Sequence, residues 1–415
     1  MTSPHTRARR RDRRVYLRSH PLLFGLLAAA RGRGVRRLGG TVLVHDADAY
    51  RQALTRLPLD RTAAGTTGGA AREALGGAGG VLFDQEGGGH RADRRGLAGG
   101  LGAAGVERLR EVWRPLLVRG LAPLGRGGEV EVVALARELA GSVVCALLDR
   151  AADPRALAEA AAGAAAASVR DHLPGLARPG AAAEAARAAE RLREVLGDAD
   201  PLAAMVAVAA VNTTVAALPR AVAWCADAGL WGQAGDAELR PRLAEELLRV
   251  TAASPVLPRV AAADGVVGGC PVRAGDRLLL VARHAAGAHR RDPDGRAPAG
   301  PGVARLVFGA GPHACPGARL ASVQLADVLE ALAPYRPVVT RSRVDRRAAL
   351  PGWRELTVRA GASAPDTPRP PTACPQRHGP AAGSGGSGSV TGSAAASGSP
   401  AACPRAHGPA GGARA

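Results

Sequence analysis

Residues 308–317 carry the residue types that could hold a metal. The segment reads Phe-Gly-Ala-Gly-Pro-His-Ala-Cys-Pro-Gly and places Cys315 at the end of a glycine-rich loop, just before a predicted helix. Pro316 suits the first helical position, where its missing N–H costs nothing. The positive end of the helix dipole and the loop N–H groups favour a thiolate there. The pattern therefore predicts a lowered pKa for Cys315 and a role as a metal ligand.

Other polar residues recur at spacings that predict pairs. Glu246 and Arg249 are three residues apart in a segment with helical periodicity, so their side chains share one helix face. His90 and Arg94 are four residues apart, in a His-x-x-x-Arg sequence. Each pair alone is common on solvated helix faces, so only their order along the chain points to one site.

Taken together, these segments resemble the cytochrome P450 family. Residues 308–317 match the family's haem-binding loop, Phe-x-x-Gly-x-x-x-Cys-x-Gly, through Phe308, Gly311, Cys315 and Gly317. In that family the cysteine is the axial thiolate of the haem iron and promotes O–O cleavage. The resemblance implies that the two glycines let a flat macrocycle approach the backbone closely.

The resemblance covers about residues 15 to 360 and implies a mainly α fold with a small β-sheet portion. It makes Glu246 and Arg249 a buried ionic clamp that holds the fold near the haem. It also implies contacts from cationic side chains to the haem propionates. Those side chains are His90, Arg94, Arg259 and His313.

Residues 209–214 resemble the family's Ala/Gly-Gly-x-Asp/Glu-Thr-Thr sequence in the helix that crosses the haem. In the family the acid and the alcohol supply protons during oxygen activation. Here Asn212 replaces the acid, and an amide cannot titrate as a carboxylate does. Thr213 keeps the hydroxyl. A simpler alternative is that the threonines only bond to carbonyls one turn earlier and bend the helix.

The function implied is that of a haem-thiolate monooxygenase of the bacterial, soluble type. It would use haem b and O2 to oxidise a small, largely apolar molecule. Electrons would come from a ferredoxin or similar donor with its NAD(P)H-dependent reductase. Two alternatives stay open: peroxide-driven or one-electron coupling chemistry caused by Asn212, or a non-catalytic P450-like partner protein. Proteins of that last class characteristically lack the ligand cysteine, which is present here.

The composition restricts the other function classes. The 415 residues carry a formal charge of +19 but contain no lysine, no isoleucine and a single asparagine, which indicates GC-rich codon bias. The arginine excess is therefore weak evidence for nucleic acid, and we expect none to bind. No apolar stretch reaches the ~20 residues that a membrane span needs, so we expect no membrane association. A clean signal peptide is also missing, which predicts a cytoplasmic protein.

The sequence divides into three regions. Residues 1–14 are predicted to be a basic, solvated arm, residues 15–362 the haem domain, and residues 363–415 a disordered tail rich in Pro, Gly and Ser. The tail repeats a Cys-Pro-x-x-His-Gly motif at Cys374 and Cys403. The motif could be a low-complexity duplication, a zinc site or a haem-sensing element.

Periodicity predicts the main elements of the central region. Residues 40–45 are expected to form a strand, followed by a helix over 46–56 with an aspartate cap. Helices are also predicted over 106–121, 130–148, 202–226, 236–250 and 320–332, and an Ala-rich helix over 151–196 is broken at Pro174 and Pro179. Pro219 is expected to kink the helix that contains it. Cys145, Cys225 and Cys270 are predicted to be small buried hydrophobes.

Overall fold

The computed structural model describes residues 3–66, 68–69, 82, 85–172, 180–197 and 201–362. The predicted tail, with its repeated motif, lies outside these residues, and so does the predicted break at Pro174 and Pro179. The chain separates into a unit of residues 1–367 and a second unit of residues 368–415. The fold described below belongs to the first unit.

Helices make up most of the described structure. They are α1 (Pro4–Ser19), α2 (Pro21–Ala30), α3 (Ala47–Thr55), α4 (Gly87–Leu101), α5 (Ala103–Leu121), α6 (Val132–Leu148), α7 (Pro154–His172), α8 (Ala181–Leu196), α9 (Pro201–Ala228), α10 (Trp231–Gly235), α11 (Leu239–Thr251), α12 (Ala282–Ala285), α13 (Pro301–Ala304) and α14 (Ala318–Leu332). Short 3-10 turns at Leu124–Arg126, Arg305–Phe308, Gly311–His313 and Ala333–Tyr335 complete the helical part. The predicted mainly α class is confirmed.

The strands form small sheets at the edges of the helical body. They are β1 (Val35–Leu38), β2 (Thr41–Val44), β3 (Leu59–Asp60), β4 (Glu129–Glu131), β5 (Leu257–Ala261), β6 (Gly265–Val267), β7 (Cys270–Val272), β8 (Arg277–Leu280), β9 (Val338–Asp345) and β10 (Gly352–Arg359). The largest described sheet has the order β1-β2-β8-β5-β3, and only its β2–β8 pair is parallel. The others are β4-β10-β9 and the hairpin β6-β7.

The predicted helices are confirmed, with shifts at their ends. Asp46 caps α3 by accepting hydrogen bonds from the backbone N–H groups of Asp48 and Ala49. The segment predicted as one helix over 130–148 begins instead with strand β4, because Val130 pairs in register with Val358 of β10. Of the three cysteines, Cys145 and Cys225 are buried, whereas Cys270 is only half-buried.

Helix α9 runs through the middle of the helical body. Its buried side chains join two of the apolar clusters, because Ala207 and Val211 pack in one and Leu218 and Trp224 in the other. Pro219 lies inside this helix without ending it. Among the described helices, α9 alone is long and apolar enough to cross a membrane, and half of that apolar stretch is buried by other parts of the protein.

The predicted N-terminal arm is wrong, because residues 4–19 form helix α1. Asp12 of this helix is buried and binds two arginines from distant segments. Its Oδ1 accepts from Arg220 Nε and Nη2 at 2.9 and 2.7 Å, and its Oδ2 accepts from Arg283 Nη2 at 2.6 Å. Arg283 also lies over the Tyr16 ring, 4.8 Å from its centroid. These contacts fix α1 to helices α9 and α12.

Candidate functional site

The loop before helix α14 is held by its own backbone. The N–H of Cys315 donates to the carbonyl of Phe308 at 2.7 Å, which closes the segment into a compact turn. Gly309 and Gly311 have φ of 79° and 71°, in the left-handed region that favours glycine. A Cβ at Gly311 would also come within 3.2 Å of Thr55 of helix α3. The glycines therefore fit the loop against α3 as well as bending it.

Cys315 is exposed and lies beside a glycine. Helix α14 begins at Ala318, with Pro316 and Gly317 forming a turn before it, so the predicted first helical position for Pro316 is wrong. A Cβ at Gly317 would lie 3.8 Å from the Cys315 sulfur, so the glycine leaves this side of the thiol open. An unobstructed sulfur on a braced loop is the arrangement that a metal ligand needs.

The predicted lowering of the Cys315 pKa is also wrong for the metal-free protein. Desolvation by the surrounding protein raises the pKa of the thiol, and this outweighs the opposing effects of the Gly317 N–H and the Arg94 charge. The helix starts too far along the chain for its dipole to reverse the balance. An exposed thiol that is nevertheless desolvated lies in a recess. A bound cation would deprotonate it there, because coordination itself favours the thiolate.

Cationic side chains gather around this recess. The imidazole rings of His90 and His313 lie 3.9 Å apart between centroids, so helix α4 and the cysteine loop meet there. Arg94, one turn after His90, donates from Nη1 to the carbonyl of Ala314 at 2.7 Å. Desolvation, together with the charges of Arg61, His90, Arg259 and Arg94, lowers the pKa of His313 to about 3. All four predicted propionate ligands are thus brought together.

Arg61, just after strand β3, is a member of this cluster that sequence reasoning missed. Desolvation lowers its pKa, and Glu86 opposes the shift through a 3.0 Å ion pair. Its charge acts on His90, Arg259 and His313. No signal in the sequence separated Arg61 from the many other arginines, because its position in the cluster depends on the pairing of strands β3 and β5.

Glu246 and Arg249 form the predicted clamp geometry on helix α11. Arg249 donates from Nε and Nη2 to the two carboxylate oxygens of Glu246 at 2.8 and 2.6 Å, and both side chains are fully buried. Arg249 also donates to the carbonyls of Ala286 and Arg291, and Glu246 accepts from the N–H of Ala299. The pair therefore ties α11 to the irregular segment that leads to the cysteine loop.

The side chains of Asn212 and Thr213 donate hydrogen bonds to backbone carbonyls. Asn212 Nδ2 donates to Val208 one turn earlier at 2.7 Å and to Ala161 of helix α7 at 3.2 Å. Thr213 Oγ1 donates to Ala209 at 2.8 Å, as the simpler alternative for this helix expected. Asn212 therefore joins two helices, a structural role that its position in the motif did not predict.

A cavity of about 380 Å3 lies between helices α7, α8 and α9 and the turn before β10. Asn212, Val211 and Val215 line it, but Cys315 does not. Each residue turns the helix by about 100°, so Val211 and Val215 lie almost opposite Thr213 around α9. Thr213, the residue expected to face the haem, does not line this cavity either.

No protein-family model and no curated protein matches the sequence. Solved structures do match the fold. A P450BioI in complex with a hexadec-9Z-enoic acid ligated acyl carrier protein superposes with a TM-score of 0.66 at 18% identity, over 83% of this chain and 99% of that one. A mutant of P450 EryK in complex with erythromycin B has a TM-score of 0.63 at 20% identity, over 85% and 99%. CYP109B1 from Bacillus subtilis has a TM-score of 0.63 at 17% identity, over 82% and 100%. This chain therefore has the cytochrome P450 fold.

Proposed function

We propose that this protein is a haem-thiolate monooxygenase that oxidises a small, largely apolar organic molecule. The observation that carries the proposal is the exposed Cys315 sulfur on its braced loop, directly beside a cluster of cationic side chains, in a chain with this fold. One oxygen atom of O2 would enter a C–H bond of the substrate and the other would leave as water. The reaction consumes two electrons and two protons.

The residues present fit a haem b. His90 Nε2 is buried and has no hydrogen-bond partner among the described residues. Desolvation, and after it the charges of neighbouring arginines, lowers the pKa values of His90 and His313. Asp93 and the Glu86 paired with Arg61 supply only part of the negative charge that would balance these cations. The two propionates of a haem would supply the rest and accept hydrogen bonds from the cluster. The sulfur of Cys315 would hold the iron, and Gly311 and Gly317 would leave room at the ring.

The haem would supply oxygen activation through its thiolate-bound iron. The protein's own part is to bind and orient it. Arg94 is already held by the Ala314 carbonyl, so its guanidinium is positioned for an anion before one binds. The Thr213 hydroxyl donates its proton to the Ala209 carbonyl. This hydrogen bond must break before the hydroxyl can donate to another group. Phe308 packs partly buried against the core and supports the loop from behind.

A second candidate reaction is peroxide-driven oxidation or one-electron coupling. The observation that favours it is the commitment of the Asn212 amide to Val208 and Ala161, which leaves no titratable side chain at that motif position. In the third alternative, a non-catalytic partner protein, the ligand cysteine would have no use. The presence of Cys315 argues against it.

The test is the reduced, carbon-monoxide-bound absorption spectrum of the purified protein. The red-shifted thiolate band is expected, and its absence would defeat the haem-thiolate proposal. With an electron donor and a panel of apolar compounds, those that shift the haem spectrum are then assayed for product and for released hydrogen peroxide. Product formed with O2 and reductant supports the monooxygenase, whereas product formed only with added peroxide supports the second candidate.

We further propose that electrons come from a ferredoxin or similar acidic donor with its NAD(P)H-dependent reductase. Arg91 and Arg95 on helix α4 and Arg319 on α14 are exposed near the cysteine loop and would complement an acidic partner. The described cysteines are all free, which agrees with the reducing conditions of the cytoplasm. We therefore propose a cytoplasmic location.

A further inference from the structure

Helix α2 leaves an apolar face uncovered. Phe24, Leu27 and Ala30 pack inward against Leu43 of strand β2. The opposite face carries Leu22 and Leu26, which are 78% and 70% exposed. Exposed leucines scattered singly are ordinary, but these two lie one turn apart and form a ridge.

Strand β1, at the edge of the neighbouring sheet, exposes a further apolar side chain. Arg36 and Leu38 of edge strand β1 pair with Leu43 and Thr41, so all four side chains share the sheet face that α2 covers. Leu38 is itself 48% exposed. We define the α2 surface as this apolar face and edge. Its residues are Pro21, Leu22, Gly25, Leu26, Ala29 and Leu38.

The chain segments on both sides of helix α2 carry charge of a single sign. Between Asp12 and Asp46 the chain carries seven arginines and no acidic residue. Exposed arginines flank the helix on both sides: Arg18 precedes it, and Arg31 and Arg33 follow it. Arg37 is the exception, because it pairs with Asp276. The surface thus combines an apolar ridge with a cationic border.

We propose that the α2 surface docks on an anionic lipid membrane, with the helix lying in the plane of the interface. Leu22 and Leu26 would enter the boundary between headgroups and acyl chains, and the flanking arginines would contact anionic headgroups. This revises the expectation of no membrane association. That expectation rested on the lack of a spanning stretch, and a helix lying in the interface needs no such length.

A lipid surface fits better than an acidic protein. The outer face of α2 presents no side chain that can form a hydrogen bond, and a helix of 10 residues is only about 15 Å long. A stable protein interface needs roughly 800 Å2 from each partner and a polar rim with specific hydrogen bonds. A lipid interface needs only an apolar ridge and nearby cations.

The experiment is flotation of the full chain with vesicles of phosphatidylcholine alone or mixed with phosphatidylglycerol. We expect binding to the mixed vesicles that weakens as salt rises. The decisive variant is Gly25→Glu, which puts an acid in the surface yet removes no contact, because a Cβ there meets no atom within 4 Å. It should weaken binding at least about tenfold, because it places a charge in the apolar interface.

Two variants serve as controls. Gly25→Gln adds similar bulk without charge and should bind more tightly than Gly25→Glu. Val118→Ser changes a side chain that is 74% exposed on helix α5 and should bind as the wild type does. A far-ultraviolet circular dichroism spectrum checks that each variant is folded. The proposal would be overturned if the wild type did not bind the mixed vesicles, or if the Gly25→Glu variant bound them as tightly as the wild type. It would also be overturned if this face of the wild type bound an acidic protein instead of the vesicles.

Discussion

The side-chain amide of Asn212 on helix α9 donates a hydrogen bond to the carbonyl of Ala161 on helix α7, at 3.2 Å. The same nitrogen donates to Val208 within its own helix. Both partners are acceptors, so this position requires a donor. An ionised carboxylate, which resembles an amide in shape, has none to offer.

Asn212→Asp should therefore destabilise the protein instead of restoring a proton donor. Leaving the two carbonyls facing a carboxylate costs about 1–3 kcal/mol in free energy of unfolding. The new acid should have a raised pKa, since only its protonated form can donate to those carbonyls. Its contribution to stability is then present at low pH and lost as pH rises through the raised pKa. Denaturant unfolding of both proteins across that range measures the effect.

The coupling of electrons to product provides the functional half of this test. We expect Asn212→Asp to release as much hydrogen peroxide per product as the wild type. Asn212→Ala, which removes the donor without adding charge, is the matched control. An aspartate variant that is as stable as the wild type and better coupled would show that position 212 governs proton delivery.

Cys315→Ser should remove the red-shifted band of the reduced, carbon-monoxide-bound spectrum, because a hydroxyl does not replace a thiolate as the iron ligand. The change is expected to leave the fold intact, since the Cys315 side chain is exposed and the loop is held by its backbone. Cys270→Ser, on strand β7, is the control and should keep the band. If the Cys315→Ser variant kept the red-shifted band, Cys315 would not be the iron ligand.

Asp12→Asn should cost about 3–5 kcal/mol in free energy of unfolding, because it leaves Arg220 and Arg283 buried without their counter-ion. Asp48→Asn changes an aspartate whose side chain is 91% exposed in its pair with Arg51, and should cost less than about 1 kcal/mol. Equal losses in the two variants would contradict a structural role for helix α1.

Low pH should lower the stability of the wild-type protein through protonation of Asp12. Burial disfavours the charge on Asp12, but Arg220 and Arg283 outweigh it and hold the pKa of the carboxyl below its usual range. A lowered folded-state pKa means that the stabilisation is present above about pH 4, the usual value for an unfolded aspartate, and is lost as pH falls toward the folded value. Thermal midpoints measured down through this range should fall more steeply for the wild type than for Asp12→Asn.

Reduction of the haem protein by its electron donor should slow as salt rises. Arg91→Glu together with Arg95→Glu should slow it further at low salt, because charge reversal removes attraction for an acidic donor. Stopped-flow reduction rates measure both effects. Arg346→Glu together with Arg347→Glu, on the turn before β10, is a matched double charge reversal away from helix α4 and should have little effect. Rates indifferent to salt and to the α4 reversals would argue against docking at this face.

The sequence by itself was sufficient for the features that depend on neighbours along the chain. The loop from Phe308 to Gly317 is local, so its residue types and spacing predicted a cysteine at the end of a glycine-rich loop, near a helix start. Glu246 and Arg249 share a helix face by geometry alone, and the mainly α fold followed from periodicity and from the family resemblance.

Only the tertiary structure decided which distant groups meet. Asn212 occupies a motif position associated with an acid, and its structural role emerged from a carbonyl 51 residues away. Asp12 sits in a basic run that predicts a solvated arm, until Arg220 and Arg283, 208 and 271 residues away, supply its partners. Burial and pairing between remote segments set the cost of a charge or an unpaired donor, and the spacing of residues along the chain carries no record of them.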